Sequence, residues 1–157
     1  MIRAASAADQ PFLVEMLVAA VNWPEGRELS PEAILADPSL AHYVFEWPAP
    51  GELGVIAEVD GSLVGAAWLR FLTHPDSGHG YVADDVPELS LGVLQVWRGR
   101  GIGRALLREL IAAASEAGMR KLSLSVERAN FARNLYLQEG FEFVARGIDA
   151  DTMVLNL

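Results

Sequence analysis

Apolar side chains recur every three or four residues in several segments of the chain, which is the spacing of one face of a helix. In the first half of the chain this pattern predicts helices over Ala7–Val21 and Pro31–Ala36. A serine, one of the preferred N-cap residue types, precedes each of them. In the second half the pattern predicts helices over Ile102–Ala117 and Ala132–Gln138, and a glycine follows each of these closely.

Shorter apolar runs bounded by glycine, proline and polar residues predict the strands. Asp60-Gly61 is a preferred two-residue hairpin turn, and it separates predicted strands over Gly54–Val59 and Leu63–Phe71. The other predicted strands cover residues 43–47, 88–96, 121–126, 141–145 and 152–157. Residues 74–86, rich in Gly, Pro and Asp, are expected to form a loop.

The order of these elements predicts the fold class. A hairpin comes first, and strands then alternate with helices, which favours an α/β (α+β) fold with a mostly antiparallel mixed sheet flanked by helices. No linker interrupts the hydrophobic pattern, so we expect one domain over residues 1–157.

Composition excludes several classes of protein. The chain has no Cys, which excludes disulfide scaffolds, thiolate metal sites and a cysteine nucleophile. Its three His residues are scattered, so no metal site is expected. No apolar run approaches the length of a membrane span, and the N-terminus has no apolar secretory core. We therefore expect a cytoplasmic protein without a membrane partner.

The charge is unevenly distributed along the chain. The formal net charge of −9 argues against nucleic acid as a partner. Residues 1–90 carry 14 acidic and 3 basic residues, whereas residues 91–157 carry 7 acidic and 9 basic residues. Such a division suggests two ligands of opposite charge, although solvated surfaces alone would also account for it.

Glycines and arginines alternate where a predicted buried strand runs into a helix, in the segment Arg98-Gly-Arg-Gly-Ile-Gly-Arg104. Consecutive small residues let backbone N–H groups point into one concavity, and the helix N-terminus adds partial positive charge. The segment therefore favours pyrophosphate binding over a tight turn without a ligand. It lacks the Lys-Ser or Lys-Thr of a Walker A loop, and its Gly-x-Gly-x-Gly spacing differs from the dinucleotide fingerprint.

The segment Arg98-x-x-Gly101-x-Gly103 matches the [QR]-x-x-G-x-[GA] signature of the GNAT N-acetyltransferase superfamily. Further along, the segment from Asn130 to Phe141 resembles the second motif of that family, N-x-A-x-x-L-Y-x-x-x-G-F. The resemblance is strong over residues 88–157 and extends to the first half only in the order of elements. It implies a GNAT fold in which a splayed strand precedes the pyrophosphate loop, and acetyl-CoA as the acyl donor.

The resemblance also implies the residues that bind acetyl-CoA. In the family the strand before the loop splays at a bulge, which leaves main-chain groups free to pair with pantetheine. The positions carried over to this chain are Leu91, Gly92, Val93, Val96, Arg98, Gly99, Arg100, Gly101, Ile102, Gly103, Arg104 and Asn130. Asn130 is equally suited to cap the helix that follows it.

Two residues are candidates for proton transfer by the same resemblance. Tyr136 matches the Tyr that protonates the departing CoA thiolate in many relatives, and the alternative is a packing role beside Phe141. Glu88 lies where some relatives have a base that acts through water, and the alternative is an exposed acid at a strand end. Relatives that acetylate ribosomal-protein N-termini carry a Glu where this chain has Ser125, which argues against that activity.

The resemblance implies that the first two helices and the loops beside them form the acceptor side, where Trp23, Glu25 and Tyr43 are candidate substrate-binding residues. The alternative for the Trp residues is packing in the core. Acids beside aromatic rings would suit a cationic amine. The sequence therefore predicts an enzyme that transfers acetyl from acetyl-CoA to a primary amine by direct attack. The alternatives are an acyl-CoA-binding regulatory module without turnover and, more weakly, a nucleotide-phosphate binder. Homodimers are common among similar proteins.

Overall fold

A seven-stranded sheet forms the centre of the structure, a computed structural model that describes residues 1–157. The strands lie in the order β1-β2-β3-β4-β5-β7-β6, and every neighbouring pair is antiparallel except β4 and β5. The strands are β1 (Ile2–Ala4), β2 (Gly54–Val59), β3 (Ser62–Arg70), β4 (Glu88–Val93), β5 (Lys121–Glu127), β6 (Glu142–Arg146) and β7 (Ala150–Asn156). The expectation of a mostly antiparallel mixed sheet is confirmed.

Helices cover both faces of this sheet. They are α1 (Gln10–Val21), α2 (Pro31–Ala36), α3 (Pro38–Ala41), α4 (Ile102–Glu116) and α5 (Ala132–Gln138). The Ser30 side chain accepts a hydrogen bond from the Ala33 N–H at 3.1 Å, so the expected N-cap of α2 is present. None of the helices is long and apolar enough to cross a membrane.

Two predicted strands differ from the structure, and two short elements of the structure were not predicted. The strand predicted over residues 43–47 is wrong, because this segment continues from α3 as hydrogen-bonded turns that bury Tyr43, Val44 and Trp47. The strand predicted over residues 88–96 ends at Val93, since residues 95–97 form a 3-10 turn. Neither β1 nor α3 was predicted, because three or four residues are too few to show a period.

Side chains alternate between two hydrophobic clusters, one on each face of the sheet. Leu69 belongs to the cluster beneath α4 and α5, and its neighbour Trp68 belongs to the cluster beneath α1 and α2; both are fully buried. Gly92 of β4 allows α1 to approach closely, because a Cβ at this position would lie 2.5 Å from the carbonyl oxygen of Met16. The fold therefore fixes α1 directly against β4.

The sheet splits between its two parallel strands. Strand β4 pairs with β3 without a break from Glu88 to Val93, but its only register pair with β5 joins Glu88 to Ser123. The expected splay is therefore present, while the bulge expected with it is absent from the β3–β4 register. The split leaves one edge of β4 unpaired, facing a gap that opens toward α4 and α5.

Candidate functional site

A cleft of about 620 Å³ lies in this gap. Strand β4, the glycine-rich loop (residues 98–104), the start of α4 and the face of α5 form most of its wall. The sequence-predicted residues that line it are Trp23, Leu91, Gly92, Val93, Arg98, Gly99, Gly101, Ile102, Gly103, Arg104, Asn130 and Tyr136. The fold thus brings together most of the candidate acetyl-CoA residues and one of the two candidate proton-transfer residues.

The glycine-rich loop presents free donors to the cleft. Gly99 and Gly101 have φ angles of +76° and +84°, which glycine adopts without the strain that a Cβ would cause. None of the N–H groups from Gly99 to Arg104 donates a hydrogen bond to a backbone carbonyl. With the N-terminus of α4 behind them, these amides form a concavity suited to an anion.

The three arginines of the loop have different surroundings. Arg98 donates to the carbonyl oxygens of Val93 and Ala19, at 3.0 and 3.1 Å, and so ties the loop to β4 and α1. Arg104 forms an ion pair with Glu139 at 2.6 Å. Arg100 has no ion pair; its guanidinium lies 4.8 Å from the centre of the Trp97 ring, outside the cleft wall. The structure therefore gives Arg98 and Arg104 internal partners and leaves Arg100 as the free cation.

The free edge of β4 follows from the hydrogen-bond alternation of an antiparallel pair. Leu94 N–H donates to the carbonyl of Val64 on β3, so the main-chain groups of Gly92 also point toward β3. Those of Leu91 and Val93 point toward the gap, where Arg98 occupies the Val93 carbonyl. Leu91 is thus left with an N–H and a carbonyl oxygen that a ligand amide could pair with as a strand would.

Tyr136 lies on α5 in the wall of the cleft, 7% exposed. Its ring packs edge to face against Phe141, with 5.7 Å between the ring centres, so the packing role considered from the sequence is present. Burial raises the pKa of the Tyr136 hydroxyl, and no hydrogen bond to another protein group contributes. The hydroxyl therefore keeps its proton and is free to donate it into the cleft.

Asn130 combines both roles considered for it. Its Oδ1 accepts a hydrogen bond from the N–H of Ala132 at 2.9 Å, at the start of α5, and the side chain also lines the cleft. Val96, by contrast, is 75% exposed and lies outside the cleft wall.

Glu88 is not an exposed acid at a strand end, since it is 4% exposed. Its Oε2 accepts a hydrogen bond from the Tyr43 hydroxyl at 2.6 Å, and its Oε1 has no partner. Burial raises the pKa of the Glu88 carboxyl, and the Tyr43 hydrogen bond, followed by the nearby N–H of Gly80, offsets part of that effect. Tyr43, expected at the acceptor surface, is instead 6% exposed and packed over this carboxylate.

The other acceptor-side candidates lie at the mouth of the cleft. The Trp23 indole N–H and the Arg27 guanidinium both donate to the carboxylate of Glu127, which joins the segment after α1 to the end of β5. Glu25 lies in an adjacent polar depression of about 580 Å³, together with Glu28. The predicted trio is therefore divided: Trp23 is in the cleft, Glu25 is beside it and Tyr43 is buried.

Sequence reasoning missed part of the cleft wall. The further lining residues are Ala20, Trp97, Phe131, Ala132, Asn134, Leu135 and Gln138. Most of them fall within the second motif, where a helix that faces the cleft places neighbours of Tyr136 on the same wall. Ala20 carries no such signal, because only the packing of α1 on β4 brings it to the cleft.

Known proteins resemble the chain in sequence. Residues 18–141 match the sequence profile of the acetyltransferase (GNAT) family. A mycothiol acetyltransferase of Jonesia denitrificans is 34% identical over 106 residues, which are 66% of this chain and 31% of that protein. The ribosomal protein bS18-alanine N-acetyltransferase of Haemophilus influenzae is 36% identical over 63 residues, which are 40% of this chain and 43% of that protein. The chain thus spans about a third of the mycothiol enzyme's length and under half of the other's.

Solved structures resemble it over nearly their whole length. The ribosomal-protein-alanine N-acetyltransferase of Brucella melitensis has a TM-score of 0.72 and 27% identity, with 100% of this chain and 99% of that chain covered. A Salmonella typhimurium protein solved with its cofactor acetyl-CoA has a TM-score of 0.71 and 25% identity, with 100% and 93% covered. The chain is a member of the GNAT acetyltransferase family.

Proposed function

We propose that this protein transfers an acetyl group from acetyl-CoA to a primary amine by direct attack of the amine on the thioester. One observation carries the proposal: a single cleft joins the free amides of the glycine-rich loop, the unpaired main chain of Leu91 and the hydroxyl of Tyr136. These groups match the three parts of acetyl-CoA in order, the pyrophosphate, the pantetheine amides and the sulfur. Membership of the GNAT family supports the same assignment.

The residues of the cleft fit acetyl-CoA by their chemistry. Amides 99–104 and the start of α4 would bind the pyrophosphate, and Leu91 would pair with an amide of the pantetheine arm. Acetyl-CoA itself supplies the activated acyl group. Fixing thioester and amine in one orientation accounts for much of the rate of such a transfer, and no covalent intermediate is required.

Glu88 and Tyr136 handle the protons of the reaction. Glu88 accepts, through a water molecule, the proton that the ammonium group loses before attack. The amine nitrogen then forms a bond to the thioester carbon, the carbon–sulfur bond breaks, and the sulfur leaves as a thiolate. Tyr136 donates its proton to that thiolate and recovers one from the acetylated nitrogen. The raised pKa of Glu88 makes its carboxylate a stronger base, and the raised pKa of Tyr136 keeps the phenol protonated, as a donor must be before the thiolate forms.

The acceptor is proposed to be a cationic amine. Residues 1–90 carry 14 acidic and 3 basic residues. Glu25 and Glu28 line the polar depression that adjoins the cleft through Trp23, and the two arginines beside them, Arg27 and Arg98, are held by Glu127 and by backbone carbonyls. The two carboxylates would attract an ammonium group, which must then lose its proton before it attacks.

Ligand binding tests the donor half of the proposal. We expect CoA and acetyl-CoA to raise the melting temperature of the protein, because a ligand that binds only the folded state stabilises it. ATP and NAD lack a pantetheine arm and are expected to have little effect. Equal stabilisation by ATP would favour the nucleotide-phosphate reading and contradict the proposal.

Turnover tests the transfer itself. Thiol release from acetyl-CoA, followed across a panel of amines and peptides, is expected to accelerate most with cationic amines. Tyr136→Phe removes the proton donor and is expected to lower kcat by roughly 100-fold, the usual size of a general-acid contribution. Tyr81→Phe removes another phenol, which donates to Asp84 away from the cleft, and serves as the matched control. Tight CoA binding with no turnover in any member of the panel would establish the regulatory module instead.

A further inference from the structure

A buried pair of polar side chains lies at the point where β4 and β5 separate. The Tyr43 hydroxyl donates to Glu88 Oε2 at 2.6 Å, and both side chains are buried. The second carboxylate oxygen, Oε1, is buried without a hydrogen-bond partner, and so is Oγ of Ser123, the register partner of Glu88 on β5. A buried acceptor without a donor is costly, so its retention calls for an explanation.

Tyr43 is held in one orientation from several sides. Its oxygen accepts a hydrogen bond from the N–H of His79 at 2.9 Å, so its own proton is directed to Glu88. Its carbonyl accepts from the indole N–H of Trp68 at 2.9 Å, and Trp68 is fully buried in the sheet. The direction of the phenol is therefore set by the fold and the loop rather than by Glu88 alone.

The segment 74–86, the covering loop, closes over the second oxygen with bare backbone. A Cβ at Gly78 would lie 2.1 Å from Glu88 Oε1, and a Cβ at Gly80 would lie 2.6 Å from the carbonyl carbon of Leu124. These glycines let the loop reach the carboxylate without a side chain between them. Oε1 is thus the oxygen on the loop side, and Oε2 is occupied from the side of Tyr43.

Few other titratable or charged groups approach this pair. His42 packs edge to face on the Tyr43 ring, and its Nδ1 lies 2.9 Å from a carboxylate oxygen of Asp76. The His79 ring lies nearly parallel to the Tyr43 ring, with 6.3 Å between the ring centres. Arg70, the register partner of Glu88 on β3, forms an ion pair with Glu52. Tyr43 is therefore the one side chain that donates directly to the carboxylate.

We propose that Tyr43 is a positioning residue for Glu88: it occupies Oε2 and so leaves Oε1 as the oxygen that receives the proton lost by the amine. The inference rests on the proposed function, in which Glu88 is the base. In the step, a water molecule gives a proton to Oε1 as it takes one from the ammonium group, and Tyr43 keeps its own proton throughout. The hydrogen bond also stabilises the ionised form of Glu88, which sets the pH range in which the base is available.

The test compares Tyr43→Phe with the wild-type enzyme over a range of pH. Loss of the hydrogen bond raises the pKa of Glu88, so the acid limb of kcat/KM is expected to move to higher pH. At a pH on the acid side of the shifted limb, kcat/KM of Tyr43→Phe is expected to be about 10-fold below that of the wild type, the effect of one hydrogen bond to a charged group. The KM for acetyl-CoA is expected to stay unchanged, because Tyr43 is outside the cleft.

A second variant strengthens the same hydrogen bond instead of removing it. The more acidic phenol of 3-fluorotyrosine at position 43 is a stronger donor, and it is expected to move the acid limb to lower pH. Tyr81→Phe, which removes a phenol bonded to Asp84 within the covering loop, is expected to leave the limb in place. Thermal stabilisation by CoA confirms that each variant is folded.

The outcomes separate this inference from the proposed function. If the acid limb disappears in Glu88→Gln but stays in place in both position-43 variants, Glu88 is the base and the inference about Tyr43 is wrong. If Glu88→Gln keeps full activity at every pH, the proposed base itself is wrong. A 13C NMR titration of carboxyl-labelled glutamate, assigned with Glu88→Gln, measures the pKa change without turnover. An unchanged Glu88 pKa in Tyr43→Phe would also overturn the inference.

Discussion

Two regions lie on strand β4 but are built in opposite ways: the cleft beside Leu91, and the corner, which is the buried group of Glu88, Tyr43 and Ser123 beneath the covering loop. In the cleft, the amides of residues 99–104 and the main chain of Leu91 have no partner within the protein and face open space. In the corner, Glu88 and Tyr43 are 4% and 6% exposed and bind each other beneath the covering loop. One region is open, whereas the other is closed, and in the closed one Glu88 Oε1 and Ser123 Oγ are buried without a hydrogen-bond partner.

Under the proposed function, the two substrates would meet different kinds of site. The cleft is already formed, because its free N–H groups belong to backbone that the sheet split and α4 hold in place. The corner would have to admit an amine or a water molecule past the covering loop. Residues 74–86 contain no helix or strand, and such segments open locally at low free-energy cost. The loop is therefore expected to move while the cleft stays fixed.

The largest expected effect comes from forcing the covering loop away. In Gly80→Ala the new Cβ would lie 2.6 Å from the backbone of Leu124, which cannot move aside as a flexible side chain would. We expect a loss of about 1–3 kcal/mol of stability, the usual effect of overpacking, and faster amide hydrogen exchange over residues 74–86. CoA affinity is expected to stay unchanged.

The control for this variant is Gly103→Ala in the cleft, where the nearest atom to the new Cβ is 3.7 Å away, an ordinary contact. It is expected to leave both stability and exchange in the covering loop close to the wild type. Loss of CoA affinity in Gly80→Ala would show that the two regions are coupled and would break the comparison.

The next effect concerns the preformed cleft. Gly101 has a φ of +84°, so Gly101→Ala adds roughly 1–2 kcal/mol of strain to the conformation that presents the amides. The variant loop can relieve that strain by leaving the binding conformation, and CoA affinity is then expected to fall about 10-fold. Titration calorimetry measures this loss.

Gly118→Ala is the matched control for the cleft variant. Gly118 has a φ of +86° at the end of α4, away from the cleft, and, as at Gly101, a Cβ there would contact nothing. It is expected to cost similar stability with no change in CoA affinity. Equal CoA affinities in Gly101→Ala and Gly118→Ala would contradict the idea that the glycine-rich loop is already in its binding conformation.

The same division explains how much the sequence predicts. The glycine-rich loop and the α5 motif are local patterns, so the cleft follows from neighbours along the chain and from the resemblance that those patterns carry. The corner depends on contacts between distant residues. The Tyr43–Glu88 bond spans 45 residues and the Trp23–Glu127 bond spans 104, and no spacing rule links either pair.

Misassigned local structure added to this limit. The apolar run at residues 43–47 has the composition of a strand, yet it buries its aromatic residues in turns that follow α3. The resemblance placed Tyr43 on the acceptor surface, whereas the turn directs it inward to Glu88. A period can be read from a helix such as α4, but the direction of a buried side chain in a turn depends on the packing around it.

A smaller effect tests whether the buried charge of Glu88 destabilises the fold. The pKa of Glu88 is raised above the ordinary value of 4.5, so its ionisation destabilises the fold as the pH rises from 4.5 through the folded-state value. Glu88→Gln removes that charge and is expected to be about 1 kcal/mol more stable relative to wild type at pH 7 than at pH 4. Urea unfolding at the two pH values measures this. A wild type that gains stability against Glu88→Gln on going to pH 7 would contradict the prediction.

The smallest expected effect concerns Glu127 at the end of β5, where ionisation of the carboxylate stabilises the fold instead of destabilising it. The hydrogen bond and charge of Arg27 lower the pKa of Glu127, so this carboxylate stabilises the fold above 4.5 and loses that effect as the pH falls through its folded-state value. Because about a third of its side chain is exposed, Glu127→Gln is expected to cost under about 1 kcal/mol at pH 7 and nothing in acid. In urea unfolding, the difference in unfolding free energy between variant and wild type should therefore rise with pH for Glu88→Gln and fall with pH for Glu127→Gln. Slopes of the same sign would mean that the carboxylate at the corner is as well solvated as the one at the cleft mouth, and the closed corner would no longer be distinct from the open cleft.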